Sequence, residues 1–435
     1  MPMMDLSPDL EHRLLTARDA SAGVSTDTRA DLAGKMFFAL KGDNFDGNAF
    51  VQHALDSGAT HAVTTDVQWQ DHPSVTVVPE ELGALQQLAR AYRRRWTCPV
   101  LGLTGSNGKT TTKELIRDVL ATQWDVHATA GNFNNHIGVP LTLLNAPKNP
   151  GFVVVEMGAN HQKEIALLAD IAEPTHGYIT NIGLAHLEGF GGEEGVYRGK
   201  KELFDHLATH GGTAFVQRSD EKVVRASADV QERVDVSTSE WRWHAEAGTE
   251  HQAHIQHPDG QTFPMHLEGS YNLPNVVAAV VIGDHFGVPW NRAQHALSAY
   301  VPSNHRSQAV DTGNNWVLLD AYNANPSSMT FALNDFAARK HASPWAILGD
   351  MAELGDASAE AHERLAHLAL DAGLELWTVG TWFGRAKAKD NRPSWRHFDA
   401  HDALVTTLKD VSPSGRQILV KGSRSAGLER ILPYL

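Results

Sequence analysis

The stretch PVLGLTGSNGKTTTKE, Pro99 to Glu114, sets an apolar run directly before a glycine–lysine–threonine loop and a segment of helical period. A strand that feeds a helix through such a loop is the building unit of a parallel α/β sheet. The loop departs from the common phosphate-binding spacing, which puts four residues between a first glycine and the GK[ST] triplet. Here five residues separate Gly102 from Gly108, two separate Gly105 from Gly108, and Leu103 fills the place of the first glycine. The shorter form, Gly105-x-x-Gly108-Lys109-Thr110, still meets the physical needs of a phosphate site. Free amides at a helix start and the helix dipole both favour an anion, and the glycines let the backbone curl tightly around it. Lys109 is placed to reach terminal phosphates, and the Thr110 hydroxyl suits magnesium. A plain turn with a helix cap accounts for the glycines and one threonine, but not for the lysine behind them.

Outward from this loop the pattern repeats. GFVVVE (Gly151 to Glu156) and GYITNI (Gly177 to Ile182) are short runs without polar alternation, as buried parallel strands require. KELIRDVLATQ puts Leu115, Ile116, Val119 and Leu120 on one helical face. AHIQHPDGQTFPMHL (Ala253 to Leu267) reads as a hairpin turning at Pro-Asp-Gly. This region ends near Ala299 to Ser307, and a second strand–helix series follows: NWVLLD, PWAILGD, LELWTVG and QILVKG. Before the loop, KMFFAL, HAVTTD and VTVV are strand-like, and Glu81 to Trp96 has a helical pattern. Thr97-Cys98-Pro99 breaks it, because proline biases its predecessor toward extended backbone. The expected fold is therefore α/β in three domains, 1–98, 99–302 and 303–435, the last two built on mostly parallel sheets.

A chain of 435 residues is too long for one ordinary core, in keeping with that division. The net charge of −14 argues against a general basic field for nucleic acid or anionic membrane, while leaving room for a local phosphate pocket. The single cysteine, Cys98, excludes an intramolecular disulfide framework and a cysteine-based zinc site. The start, MPMMDLSPDLEHRL, lacks a basic then apolar leader, and no apolar run approaches a membrane span. A cytoplasmic protein without membrane insertion is expected. The 24 histidines are scattered among polar residues and read mostly as solvated.

In open parallel sheets ligands lie beyond the carboxyl ends of the strands. Glu156 closes FVVVE and His186 follows ITNIGLA, so both belong on the rim that carries the Lys109 loop. A carboxylate there is a natural hard ligand for magnesium, while imidazole is a less usual one. His186 is also open to a general-base reading.

TGSNGKTTTKE, VEMGANH (Val155 to His161) and NIGLAHLEGFG (Asn181 to Gly191) together resemble the ATP-binding core of the Mur ligase family, which builds the peptide stem of bacterial cell-wall precursors. STDTRADLAGKMFFALKGDNFDGNAF (Ser25 to Phe50) resembles that family's uridine-nucleotide domain, and GSYNLPNVVAA (Gly269 to Ala279) its adenine segment. GNFNNHIGVPLTLL (Gly131 to Leu144), DAYNANPSSM (Asp320 to Met329), GDMAELG (Gly349 to Gly355) and VKGSRS (Val420 to Ser425) resemble the member that joins D-alanyl-D-alanine to UDP-N-acetylmuramoyl-tripeptide. Nearly the whole chain is covered, in the right order.

The resemblance implies a small nucleotide-sugar domain, a central P-loop domain, and a C-terminal Rossmann-like domain that closes over ATP. It implies that Gly105, Ser106, Asn107, Gly108, Lys109, Thr110 and Thr111 hold the ATP phosphates. Asn272 and Asn275 would contact adenine, and Arg306 and Asp320 would reach phosphate and ribose. Thr110, Glu156 and His186 would surround magnesium. Lys200, in YRGKKELF, aligns with a lysine that many members carry as a carbamate, an anion suited to a second magnesium; it is also an ordinary charged helix face. Lys109, His186 and Lys200 are the expected catalytic residues. For the substrates the implied residues are Ser25, Thr26, Asp27, Thr28, Arg29, Lys41, Gly42, Asp46 and Gly47 in the first domain. Asn134, Asn135, Asn323, Asn325, Lys421, Ser423 and Arg424 are the others. The Asn323–Ser328 turn and the Lys421–Arg424 loop read equally well as helix caps. Tyr271 and Asn48 stand where many members have histidine, and the region before Ser25 is short, as if part of the first domain were trimmed.

The implied reaction phosphorylates the tripeptide carboxylate with ATP, and the dipeptide amine then displaces phosphate from the acyl phosphate. A monomer is expected. A ligase of the same family with another acceptor, a P-loop kinase and a non-catalytic nucleotide-binding scaffold are the competing readings.

Overall fold

In the computed structural model, which describes residues 6–42, 45–245, 253–303, 305–339 and 341–435, the strand Val100–Thr104 sits inside a six-stranded parallel sheet. His176–Ile179 pairs with it on one side and Phe152–Glu156 on the other. Thr213–Gln217 and Glu232–Val236 extend the sheet past His176–Ile179, and Val126–Ala128 closes the other edge. All residues of Val100–Thr104 and Phe152–Glu156 are buried, so both faces of the sheet are covered, which is why these runs carry no polar alternation. The third strand stops at Ile179, earlier than its apolar pattern, because Thr180 and Asn181 turn to hold the phosphate loop.

The helix Lys109–Ala121 starts at Gly108, whose left-handed φ of 78° is open to glycine at little cost. Leu115, Ile116, Val119 and Leu120 are fully buried, as their spacing predicts. They share one apolar cluster with Val276, Val277, Ala279 and Ile282 of the helix Leu273–His285. Burying each such aliphatic side chain is worth roughly 1.5–3 kcal/mol, so this helix is fixed by packing. That fixes the phosphate loop ahead of it. The Ala253–Gln256 and Thr262–Met265 hairpin forms as read, and Arg242–Ala245 pairs onto it.

The amino-terminal sheet has four parallel strands: Val24–Ser25, Met36–Phe38, His61–Thr64 and Val75–Val77. A short arm, Lys41–Gly42 against Phe45–Asp46, projects from it. The helix Glu81–Arg93 ends three residues before Trp96, because the chain tightens there: Arg95 and Trp96 donate to Tyr92 and Arg93 three residues back. This helix does not stay within its own domain. Leu85, Leu88 and Tyr92 join one apolar cluster with Val139, Leu143, Ile165 and Leu168 beside the central sheet. Arg18 donates to the carbonyls of Leu144 and Ala146, and Arg93 to those of Ala172 and Glu173. Asn145 clamps Val24 from both its amide atoms. The first two regions are thus welded by a shared core and by buried guanidinium–carbonyl bonds.

The third sheet orders Gln308–Asp311, Trp316–Asp320, Gln417–Lys421, Pro344–Gly349, Glu375–Val379 and Trp395–Phe398, parallel except for the first strand. No described helix is long and apolar enough to cross a membrane.

Candidate active site

The phosphate loop is held from below by the neighbouring strand end. Thr180 Oγ1 and Asn181 Nδ2 donate to the Asn107 carbonyl at 2.6 and 3.0 Å, and Asn107 N donates to Asn181 Oδ1 at 3.1 Å. Gly105 has φ 147°, and a Cβ there would collide with the Thr180 hydroxyl. Glycine is therefore required by both conformation and space.

Lys109 Nζ curls back onto the Gly105 carbonyl at 2.7 Å. Burial pulls its pKa below the usual lysine value, partly offset by Glu156. Thr110 Oγ1 donates to Glu156, 2.9 and 3.1 Å from its two carboxylate oxygens. Glu156 is 1% exposed and collects further donors: Asn134 Nδ2 at 2.8 Å and the Lys113 ammonium at 3.6 Å. Its backbone amide is held by Thr129 Oγ1. Lys113 is itself buried, donates to the Gly131 carbonyl at 3.3 Å, and has a pKa lowered by burial against the pull of Glu156.

The phosphate loop and Glu156 open onto a cavity of about 1400 Å³ shared with the third domain. Ser106 to Thr111, Asn134, Asn135, Glu156 and His186 line it from the central domain; Arg306, Asp320, Asn323, Asn325 and Lys421 line it from beyond. The Arg306 guanidinium lies over the Tyr322 ring, 3.7 Å from its centroid, while Asp320 accepts from Ser307 N and pairs with Lys421. His186 takes a left-handed φ of 53° and meets Glu353 across the domain boundary. Burial and the charge of Lys109 lower its pKa despite that carboxylate.

Several expected contacts have local work as well. Asn272 accepts from Asn275 and donates to the Glu268 carbonyl. Tyr271 hydrogen-bonds Ser307, so its hydroxyl is taken. Asn135 accepts from the amides of Ile137 and Gly138 at the next helix start. Asn325 caps the helix Pro326–Ala338 in a capping box with Ser328, and its amide donates to Asn107 Oδ1 at 2.7 Å. Helix cap and cross-domain contact coincide there. Ser423 and Arg424 lie off the cavity wall, Ser423 against Ser425 and Arg424 facing the Tyr322 ring.

Ser25–Arg29 and Lys41, Gly42, Asp46 and Gly47 do not line this cavity. Asp27 pairs with Arg29 and Lys41 with Asp46, all with exposed side chains. Asn48 is fully occupied, bridging Asp46, Thr65 and Glu81 and accepting from Thr64.

Lys200 is 1% exposed, and its Nζ has no hydrogen-bonding partner among the described residues; the Phe190 ring lies 5.2 Å away. Burial, with the nearby charge of Lys109, pushes its pKa well below the usual lysine value. The ordinary charged helix face is thereby ruled out. Among the described residues no cluster of three His, Cys, Asp or Glu side chains forms a ready metal cage. The hydroxyl–carboxylate pair of Thr110 and Glu156 nevertheless offers the hard oxygen donors that magnesium prefers.

Sequence reasoning missed Lys113 and Thr129, and did not single out Asn181 although it stood inside a recognised motif.

A phosphate loop on a parallel sheet, a buried acidic partner and a third domain completing the cavity define an ATP-dependent ligase architecture. The chain belongs to the Mur ligase family: the Mur ligase middle domain matches residues 103–283, and the Mur ligase glutamate ligase domain matches residues 305–424. It is 34% identical to the UDP-N-acetylmuramoyl-tripeptide--D-alanyl-D-alanine ligase of Bacillus subtilis, covering 95% of this chain and 93% of that one. To the enzyme of the same name from Escherichia coli it is 32% identical, with the same coverage of both. The crystal structure of MurF from Acinetobacter baumannii superposes with a TM-score of 0.84 at 27% identity, covering 99% of both chains.

Proposed function

We propose that the chain is an ATP-dependent ligase that adds D-alanyl-D-alanine to UDP-N-acetylmuramoyl-tripeptide, giving the pentapeptide precursor of peptidoglycan with release of ADP and phosphate. The observation that carries this reading is one cavity holding Lys109, Thr110 and Glu156 opposite Arg306, Asp320 and Lys421, in a chain matched almost end to end by enzymes of that name.

A carboxylate is inert to an amine because its leaving group would be an oxide. A tripeptide carboxylate oxygen attacks the γ-phosphorus, the bond to the bridging β–γ oxygen breaks, and ADP leaves. The dipeptide amine then attacks the acyl carbon, loses a proton, and the carbon–oxygen bond to phosphate breaks. Both steps spread charge over phosphoryl oxygens, so the work is positioning and electrostatic stabilisation. Lys109, parked on the Gly105 carbonyl, exchanges a neutral partner for an anionic one when a polyphosphate enters. The loop amides and the start of its helix face the same charge. Arg306, Asp320 and Lys421 close the cavity from the third domain, which shields the acyl phosphate from water.

Thr110 and Glu156, with His186 and a carbamylated Lys200, are the residues that would hold magnesium, in two ions. Bound magnesium would neutralise phosphate charge and align the oxygens. The lone, depressed Lys200 amine supports the carbamate, since a neutral amine is the form that adds to carbon dioxide, releasing one proton. Ser25–Arg29 with Lys41, Gly42, Asp46 and Gly47 take the uridine nucleotide. Asn134, Asn135, Asn323, Asn325 and Lys421 face the peptide substrates, and Ser423 and Arg424 belong to the same loop behind Lys421. The chain works as a cytoplasmic monomer on soluble precursors.

The test is phosphate release from ATP with UDP-muramoyl-tripeptide, with and without D-alanyl-D-alanine. Release that needs both substrates is expected. Equal release without the dipeptide would overturn the ligase reading in favour of a kinase or an idle ATPase.

A further inference from the structure

Phe331 is 53% exposed, and of the exposed large hydrophobic side chains among the described residues only this one lines the cavity. It stands on the helix Pro326–Ala338, between two residues that fix the helix against the central domain. Ser327 Oγ accepts from Leu184 N at 3.1 Å, next to Asn107 of the phosphate loop. Asp335 accepts from Ser270 N at 2.7 Å, at the head of the Ser270–Asn275 segment. Ser327, Phe331 and Asp335 are each four residues apart, so they share one helix face at steps of about 6 Å. Phe331 is therefore held midway between the phosphate loop and the Ser270 turn. Leu273 and Pro274 line the same cavity from the central domain, and both are only partly buried. The helix thus presents an apolar ring, and the other domain an apolar surface, at the level where a nucleotide anchored by its phosphates would carry its base.

Resting on the ATP reading above, we infer that Phe331 is a specificity-determining residue: its ring forms one wall of a slot that stacks on the purine, with Leu273 and Pro274 as the other wall. An aromatic face suits a flat π-system and gains nothing from a phosphate or a sugar hydroxyl. Because the walls come from two domains, a bound base also ties those domains together.

The test is competition of unlabelled nucleotides against a fluorescent ADP analogue, on the full chain and on Phe331→Ala and Phe331→Tyr. Loss of base–aromatic stacking is expected to weaken ADP about tenfold or more in Phe331→Ala, while Phe331→Tyr stays near the parent. The preference for ADP over UDP is expected to shrink in Phe331→Ala, and inorganic tripolyphosphate is expected to compete equally with all three proteins. Unchanged ADP affinity in Phe331→Ala would overturn the inference while leaving the ATP reading intact. Equal weakening of ADP and tripolyphosphate would overturn it too, since Phe331 would then act through domain packing. Failure of the parent chain to bind ADP at all would overturn the ATP reading itself.

Discussion

Thr110, in the first turn of the helix Lys109–Ala121, and Glu156, at the end of the strand Phe152–Glu156, meet hydroxyl to carboxylate at 2.9 Å inside a site where Glu156 also faces the buried Lys113 ammonium. One carboxylate thus answers to a phosphate-loop hydroxyl and to an internal cation. Its removal has two consequences that can be separated.

Glu156→Gln leaves Lys113 buried without its counter-charge. Breaking such a pair costs about 3–5 kcal/mol in general. Here Lys113 already has a lowered pKa and can shed its proton, so the expected loss is about 2–3 kcal/mol in urea unfolding. Adding Lys113→Met removes the orphaned charge and is expected to recover most of that stability. Neither variant is expected to turn over ATP. Recovery of activity along with stability in the double variant would show that Glu156 only supports the fold.

Lys109→Ala removes a side chain whose one direct hydrogen bond shorter than 3 Å is to the Gly105 carbonyl, so the fold is expected to persist. Phosphate release is expected to fall by at least about a hundredfold, the scale of losing one preorganised charge-stabilising donor. Near-normal turnover would mean that the loop cradles something other than the reacting phosphate.

Lys200 yields a prediction in carbon dioxide. Burial pushes its pKa well below the usual lysine value, which favours the neutral amine, the state that forms a carbamate. Stripping bicarbonate from the buffer and dialysing at mildly acidic pH is expected to lower activity, and adding bicarbonate at neutral pH to restore it. Labelled bicarbonate should give a carbamate carbon signal in the parent chain and none in Lys200→Ala. Activity indifferent to bicarbonate, with no such signal, would leave Lys200 as an unmodified buried amine.

The strands of the two large sheets were legible because burial on both faces leaves runs such as FVVVE and WVLLD without alternation. Lys113 was not legible. It neighbours Leu115 and Ile116 on an amphipathic helix, and the partner that marks it, Glu156, comes from a strand distant in sequence. Phe331 was not legible either: it neighbours the buried Met329, Ala332 and Leu333 on its helix, yet it lines the cavity. Asn325 and Asn135 were read for substrates, while their side chains also cap helices; one-dimensional spacing does not separate a cap from a ligand. Lys200 was ambiguous for the same reason, and only its burial without a partner decided against a solvated face.

The weld between the first two domains carries its own pH signature. Glu173, just past the helix Glu164–Ala172, accepts from Arg90 at 2.9 Å and pairs with Arg94 at 2.7 Å. Burial raises its carboxyl, but the hydrogen bonds from Arg94 and Arg90 outweigh burial and leave it below its ordinary 4.5. A carboxyl lowered on folding stabilises the fold above its ordinary value, and that contribution is lost as pH falls through the lowered one. The pair is partly solvated, so screening reduces it to about 0.5–1 kcal/mol. Glu173→Gln is therefore expected to melt slightly below the parent at neutral pH, by about 1–3 °C. As pH falls below 4.5 and through the lowered value, the two melting points are expected to converge, because the parent then loses what the variant already lacks. A gap that stayed constant through the acid range would mean that Glu173 holds the domains by shape, with its charge irrelevant to their docking.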